Sequence, residues 1–333
     1  MRLYVYMLAL ASLGALPACV SPSYAPAAPR SVRPPALARR ALTLPPGSGW
    51  TGNGICYGPH RAGQHPAGPQ PTVDQTREDL RLMQPHWRML RMYNSRGAGA
   101  VAQIIREEHL GMSMMVGAWI APEAPGTAAE NAAQLAEAIR IANAYPDVVM
   151  AVSVGNETQV FWSAHKVDQN VLLDCIRQVR ASTKVPVTTA DDFRFWTTPE
   201  SRQVADEVDF ITLHVYALWN GQPLDSALAF TRQQYAAVAA MHPGVPIVLG
   251  EAGWATCKHT EGDQAKLIQG TPGEAEQKVF YEQFRAWTTQ AQVPNFYFEA
   301  FDEPWKGGAH PDEVEKHWGL FRADRTPKAA LQE

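Results

Sequence analysis

Short apolar runs rich in β-branched and aromatic residues alternate along this chain with longer stretches in which apolar residues recur three and four apart. The runs at 52–58, 87–94, 112–120, 148–157, 185–193, 208–216, 245–254 and 295–301 predict strands. The stretches at 127–145, 169–183 and 273–291 carry the helical spacing. Eight strand–helix repeats in roughly 280 residues have the size and rhythm of a (β/α)8 TIM barrel, an α/β fold closed on itself. An open, doubly wound sheet is the competitor. It would carry a glycine-rich phosphate turn after its first strand, and "GICYGPHRAGQHP" contains no G-x-G-x-x-G. The predicted barrel is a single domain, 48–333.

The N-terminal region breaks this rhythm. "MRLYVYMLALASLGALPAC" sets one arginine before a short apolar run that ends in small residues, the pattern of an export signal over 1–19. Leu16-Pro17-Ala18-Cys19 resembles a bacterial lipobox, in which Cys19 is acylated and becomes the mature N-terminus; plain secretion is the alternative. Residues 20–47, rich in Pro, Ala, Ser and Arg without apolar periodicity, read as a disordered tether. The expectation is an exported monomer at the periplasmic face of a bacterial membrane, touching lipid only through its anchor.

Composition changes the picture in two respects. The 333 residues are 46% hydrophobic and carry 29 basic against 33 acidic side chains, a formal charge of −4, which argues against nucleic acid or an anionic membrane surface as partner and for a neutral ligand. Beyond Cys19 stand Cys56, Cys175 and Cys257, an odd number without metal-ligand spacing, read as free thiols. No metal and no cofactor are expected.

In a barrel the chemistry gathers where the strands end. The fourth predicted strand ends on Asn156-Glu157, and the seventh, "VPIVLGEAGW", on Glu251 between glycines. The two glutamates are roughly three βα repeats apart, so they converge over one mouth. A buried carboxylate costs several kcal/mol unless it is paired, so two at strand ends point to chemistry. Cleavage of a glycosidic bond needs such a pair. Glu157 is read as acid/base and Glu251 as nucleophile, with two unrelated salt-bridged glutamates as the alternative.

The sixth strand puts His214 and Tyr216 on one face, where the phenol can hydrogen-bond Glu251 and hold it ionised. His214 also admits the reading of a satisfied core histidine. After the eighth strand, "FEAFDEPWKGG" supplies Asp302, Glu303, Trp305 and Lys306, suited to sugar hydroxyls and a stacking platform, or to a Glu303–Lys306 lid salt bridge. Trp119, Trp162, Trp219, Trp254 and Trp305 all fall at or just after strand ends, as ring-stacking platforms would.

"SVGNE", "VLGEAGW", "FEAFDEPWK", "GICYGPHRAGQHP" and "MLRMYNS" together resemble glycoside hydrolase family 17, the β-1,3-glucanase family, in its bacterial branch. The resemblance runs from about Gly52 to Pro327. It implies a (β/α)8 barrel, retention of anomeric configuration and β-1,3-linked glucan as substrate, with Glu157 as acid/base, Glu251 as nucleophile and Asn156 as the amide that binds the sugar 2-hydroxyl. It also implies that Tyr57, Tyr93, Tyr216, Glu303 and Lys306 line the cleft. One departure stands out: "GEAGWATCKH" has a cysteine and a basic pair where plant members continue with Pro-Ser, which changes the rim of the cleft.

Hydrolase and glucanosyltransferase share the glycosyl-enzyme intermediate and differ only in the acceptor, water or sugar, so both stay open, as does another β-glycanase of the same clan. A catalytically silent, tethered glucan-binding lipoprotein would keep the tryptophans and lose a glutamate; this chain has both.

Overall fold

The computed structural model describes residues 38–332. The export signal, Cys19 and most of the predicted tether lie outside the described residues.

Eight parallel strands, β1 (Asn53–Cys56), β2 (Met89–Arg91), β3 (Ser113–Ala118), β4 (Val149–Asn156), β5 (Val187–Asp192), β6 (Ile211–His214), β7 (Ile247–Ala252) and β8 (Asn295–Tyr297), pair in sequence order and close into a barrel. The closing seam pairs Asn53, Gly54 and Ile55 of β1 with Asn295, Phe296 and Tyr297 of β8. Nearly every strand residue is buried, because helices cover the outer face while side chains fill the interior. Helices such as Thr127–Ala144, Gln169–Ser182 and Glu274–Gln290 coincide with the predicted ones to within a residue or two.

The floor of the barrel, at the strand N-termini, is stapled by polar side chains. Asn295 Nδ2 donates to Asn53 Oδ1 at 2.8 Å, and Asn53 Nδ2 to Thr289 Oγ1 at 2.9 Å. Asp209, fully buried, accepts from the Arg40 N–H at 2.6 Å and the Val187 N–H at 2.8 Å and pairs with Arg180 at 2.5 Å.

Arg40 belongs to the stretch read as tether, which needs correction: residues 38–47 lie against the barrel. The Arg40 guanidinium donates to the Val185 and Arg180 carbonyls, Arg39 donates to the Ala205 carbonyl, and Leu42 and Leu44 pack on the core. Apolar periodicity gave no sign of this, because the stretch binds mainly through arginine side chains meeting backbone carbonyls, which leave no hydrophobic pattern. Among the described residues, no helix is long and apolar enough to cross a membrane.

Candidate active site

Local backbone geometry explains why β4 ends on Gly-Asn-Glu. Gly155 (φ 75°) and Glu157 (φ 50°) both adopt the left-handed conformation, and the pairing of β4 with β5 slips between Ser153 and Asn156. For a non-glycine residue that conformation costs about 1–2 kcal/mol. Neighbours hold it in place. The Glu157 N–H donates to the Ala190 carbonyl at 2.8 Å, and the Asp191 carboxylate accepts from the Gln159 and Val160 N–H groups at 2.8 and 3.2 Å. On β7, Glu251 follows Gly250, where a Cβ would stand 2.2 Å from Thr212 Cγ2. Glycine therefore lets β7 lie close against β6, with Glu251 in register with His214.

The two carboxylates meet through that histidine. His214 Nδ1 lies 3.0 Å from Glu157 Oε1, and its Nε2 lies 3.3 Å from Glu251 Oε1. One oxygen of each glutamate and a ring nitrogen of His214 fall within 4.8 Å of one another. Arg91, inside the barrel on β2, donates from Nη1 to Glu251 Oε1 at 2.5 Å and from Nη2 to Asn156 Oδ1 at 2.6 Å. The Tyr216 hydroxyl donates to Glu251 Oε2.

These surroundings split the pair electrostatically. Burial, then the facing Glu251 and Asp192 charges, push Glu157 well above the usual carboxylate range. Burial pushes Glu251 the same way, but the Arg91 charge and the hydrogen bonds from Tyr216 and Arg91 oppose it and hold its carboxyl below that range. Burial, aided by Arg91 and opposed by Glu251 and Asp192, brings His214 down to about 4. The imidazole between them is thus neutral. The surroundings thus favour the protonated form of Glu157 and the ionised form of Glu251, with the Nδ1 of the ring beside the first. The site can therefore deliver a proton on one side of a bond while presenting a carboxylate on the other.

Beyond β8 a second charged cluster adjoins the mouth. Lys306 Nζ lies 2.6 Å from both Glu299 Oε2 and Glu303 Oε2, and the Trp305 Nε1–H donates to Glu303 at 2.9 Å. Despite burial, Lys306 and His60 draw Glu303 down to about 2, whereas burial drives Glu299 well up. The Glu303–Lys306 salt bridge read as an alternative is present, and Trp305 remains 39% exposed beside it, free to stack.

The remaining expected residues divide. Tyr216 and Tyr93 are half-buried, the latter under the Arg91 guanidinium at 4.6 Å. Asn156 gives its oxygen to Arg91, which leaves its NH2 group for a ligand. Two expectations need correction. Tyr57 is buried, its hydroxyl committed to Asp79, which Arg61 and Arg325 also hold. Trp254 is buried too, with its N–H on the Thr271 carbonyl and its ring against Phe280, so it offers no face to a sugar. Of the other strand-end tryptophans, Trp162 is 49% exposed beside an exposed Phe161, and Trp219 donates to Glu315.

Sequence reasoning missed Arg91, Glu299 and Glu315. For the first two a signal was there to use: each is a charge inside a run otherwise apolar enough to be a buried strand.

Known proteins resemble this chain over most of its length. A family model described as the BtgE/BtgC glycoside hydrolase domain matches residues 54–319. A glucan 1,3-β-glucosidase of Arthroderma benhamiae is 25% identical over 268 residues, 75% of this chain and 82% of that protein. Among solved structures, an endo-laminarinase from Formosa superposes with a TM-score of 0.73 at 28% identity, covering 85% of this chain and 87% of that one. A family 17 β-1,3-glucanosyltransferase from Rhizomucor miehei gives 0.67 at 26% identity, covering 84% and 96%.

Proposed function

Because this chain belongs to the BtgE/BtgC glycoside hydrolases, of the family 17 type, we propose that it cleaves or transfers β-1,3-linked glucan with retention, Glu251 acting as nucleophile and Glu157 as acid/base. It is a glycosidase acting on β-1,3-glucan, as its relatives are named for doing. The observation that carries the mechanism is the close approach of two carboxyl groups, within 4.8 Å oxygen to oxygen, one shifted above the usual carboxylate range and the other below it. Inverting enzymes hold theirs about 6.5–9.5 Å apart to admit a water, and retaining ones about 5–5.5 Å.

In the first step a Glu251 oxygen attacks the anomeric carbon while the Glu157 proton passes to the departing glycosidic oxygen. Arg91 and Tyr216 keep Glu251 anionic until the bond forms. In the second step Glu157, now a carboxylate, takes a proton from water or from a sugar hydroxyl, which attacks the same carbon and frees Glu251. Water gives hydrolysis and sugar gives transfer. Asn156, Glu303 and Lys306 are placed here as hydroxyl partners and Trp305 as a platform.

The test is Glu157→Ala with a dinitrophenyl β-glucoside and azide. The good leaving group needs no proton, so the glycosyl-enzyme should form, its hydrolysis should slow, and azide should restore turnover and yield a β-glycosyl azide. A β-azide produced by Glu251→Gly together with an α-azide from Glu157→Ala would reverse the two roles.

Export with acylation at Cys19 is a further part of the proposal, supported by the lipobox-like Leu16-Pro17-Ala18-Cys19. Cys19→Ala should release the protein from the membrane fraction or block its processing; unchanged fractionation would leave plain secretion.

A further inference from the structure

The cysteine and basic pair that depart from the plant pattern after β7 do not stand alone. The loop following β7 carries Cys257, and the segment following β8 carries Asp312 and His317; the Cys257 sulfur, an Asp312 carboxylate oxygen and a His317 ring nitrogen lie within 4.8 Å of one another. Backbone and side-chain bonds set the frame. The Thr256 N–H donates to the His317 carbonyl at 2.9 Å, which fixes the residue before Cys257 against His317 itself. The short 3-10 turn Val314–Lys316 joins Asp312 to His317 and brings them to one side. Cys257 and His317 are half-buried, while Asp312 is exposed.

The donor set has the chemistry of one class of ligand. Thiolate sulfur, imidazole nitrogen and carboxylate oxygen together suit a borderline-soft divalent cation that accepts mixed donors in tetrahedral geometry. His317 Nε2 meets the Pro311 carbonyl at 2.9 Å. An N–H donated there leaves Nδ1 as the unprotonated nitrogen, the arrangement by which a ligating histidine has its tautomer fixed from behind. The nearby Lys328 ammonium is already paired with Asp302 at 2.8 Å. Tetrahedral zinc spaces its donors about 3.3–3.8 Å apart, so these three close on an ion by moves of about an ångström, which an exposed aspartate can make.

We propose that Cys257, Asp312 and His317 bind a zinc ion that ties the β7 loop to the β8 segment at the rim of the mouth, with the fourth position left to water. The wall so pinned contains Glu315, whose carboxylate accepts from Trp219 at 2.9 Å. The tie stiffens one side of the cleft without touching the reacting carboxylates.

The Glu157–His214–Glu251 cluster offers a rival set of donors, so the experiment has to tell the two apart. The full chain, stripped with a chelator, is titrated with Co2+ and with Zn2+. A thiolate-to-cobalt charge-transfer band requires a cysteine ligand, which the rival cluster lacks. The expected result is one equivalent bound with that band, loss of the band in Cys257→Ser, affinity weakened more than about tenfold in His317→Gln and Asp312→Asn, and both band and stoichiometry retained in Glu251→Gln. Zn2+ should also raise the melting temperature of the unsubstituted chain and not that of Cys257→Ser. Should Cys257→Ser fail to fold, Asp312→Asn, at an exposed position, still tests the site through its weakened affinity for the cobalt that gives the band. No band, a band that survives Cys257→Ser, or binding lost only with Glu251→Gln would overturn the proposal.

Discussion

Buried acids sit at both ends of this barrel, and the two ends treat them in opposite ways. On the floor, Asp209 receives two backbone N–H groups and an arginine, so every demand of its charge is met at once. At the mouth, Glu157 and Glu251 face each other across one neutral imidazole, and the single arginine between them sides with Glu251. The difference separates two uses of a buried charge. A carboxylate saturated with donors holds chain segments together. A carboxyl group short of donors keeps its proton within reach and can pass it on.

The comparison breaks if either end behaves like the other. The largest effect belongs to Glu251→Gln, which removes the carboxylate proposed as nucleophile and should cut turnover by about 10⁴-fold or more, with a smaller loss of stability, because the buried Arg91 loses its partner while the repulsion on Glu157 is relieved. Asp209→Asn should do the reverse. An amide cannot replace a carboxylate that accepts from two N–H groups and balances Arg180, so stability should fall by about 3–5 kcal/mol with turnover per folded molecule intact. Paired denaturant melts and initial rates check both. A floor variant that lost activity without losing stability would show that the two ends are coupled.

The sequence made one side of this contrast far more legible than the other. All eight strands stood out, because a strand buried on both faces must be apolar and β-rich along its length, and turns must interrupt it. Glu157 and Glu251 stood out because a charge that closes so apolar a run is buried at a cost that packing does not return. Arg91 was passed over although it obeys the same logic, since a charge in mid-strand looks like an error in the strand until the interior of the barrel is seen to hold its partner. Tyr57 and Trp254 were misplaced because position along a strand does not say which way the following turn faces; Asp79, from the helix Val73–Met83, claims the one, and Phe280, from the helix Glu274–Gln290, claims the other. The clasp at 38–47 and the Cys257–Asp312–His317 cluster were out of reach, because each depends on segments far apart in the chain meeting through polar groups that follow no period.

The smallest expected effect sharpens the comparison most. Glu157 has its pKa raised in the folded protein, so the fold prefers the protonated acid. Its contribution is fully present below the unfolded carboxylate pKa, about 4.3, and is lost as pH climbs through the higher folded value, at about 1.4 kcal/mol per pH unit between the two. Glu251 has its folded pKa lowered, so its contribution is in place above the unfolded value and constant from there up to neutral and alkaline pH. Any decline of stability across that upper range attributable to this pair therefore belongs to Glu157. Glu157→Gln keeps the shape of the protonated acid and cannot ionise. It should melt close to the parent near pH 4 and above it by pH 8, the gap opening in the direction of rising pH. Unfolding curves for the two proteins over this range decide the matter: parallel profiles for Glu157→Gln and the parent would mean that Glu157 is ionised in the resting fold, and the proton the proposed mechanism needs would have to come from elsewhere.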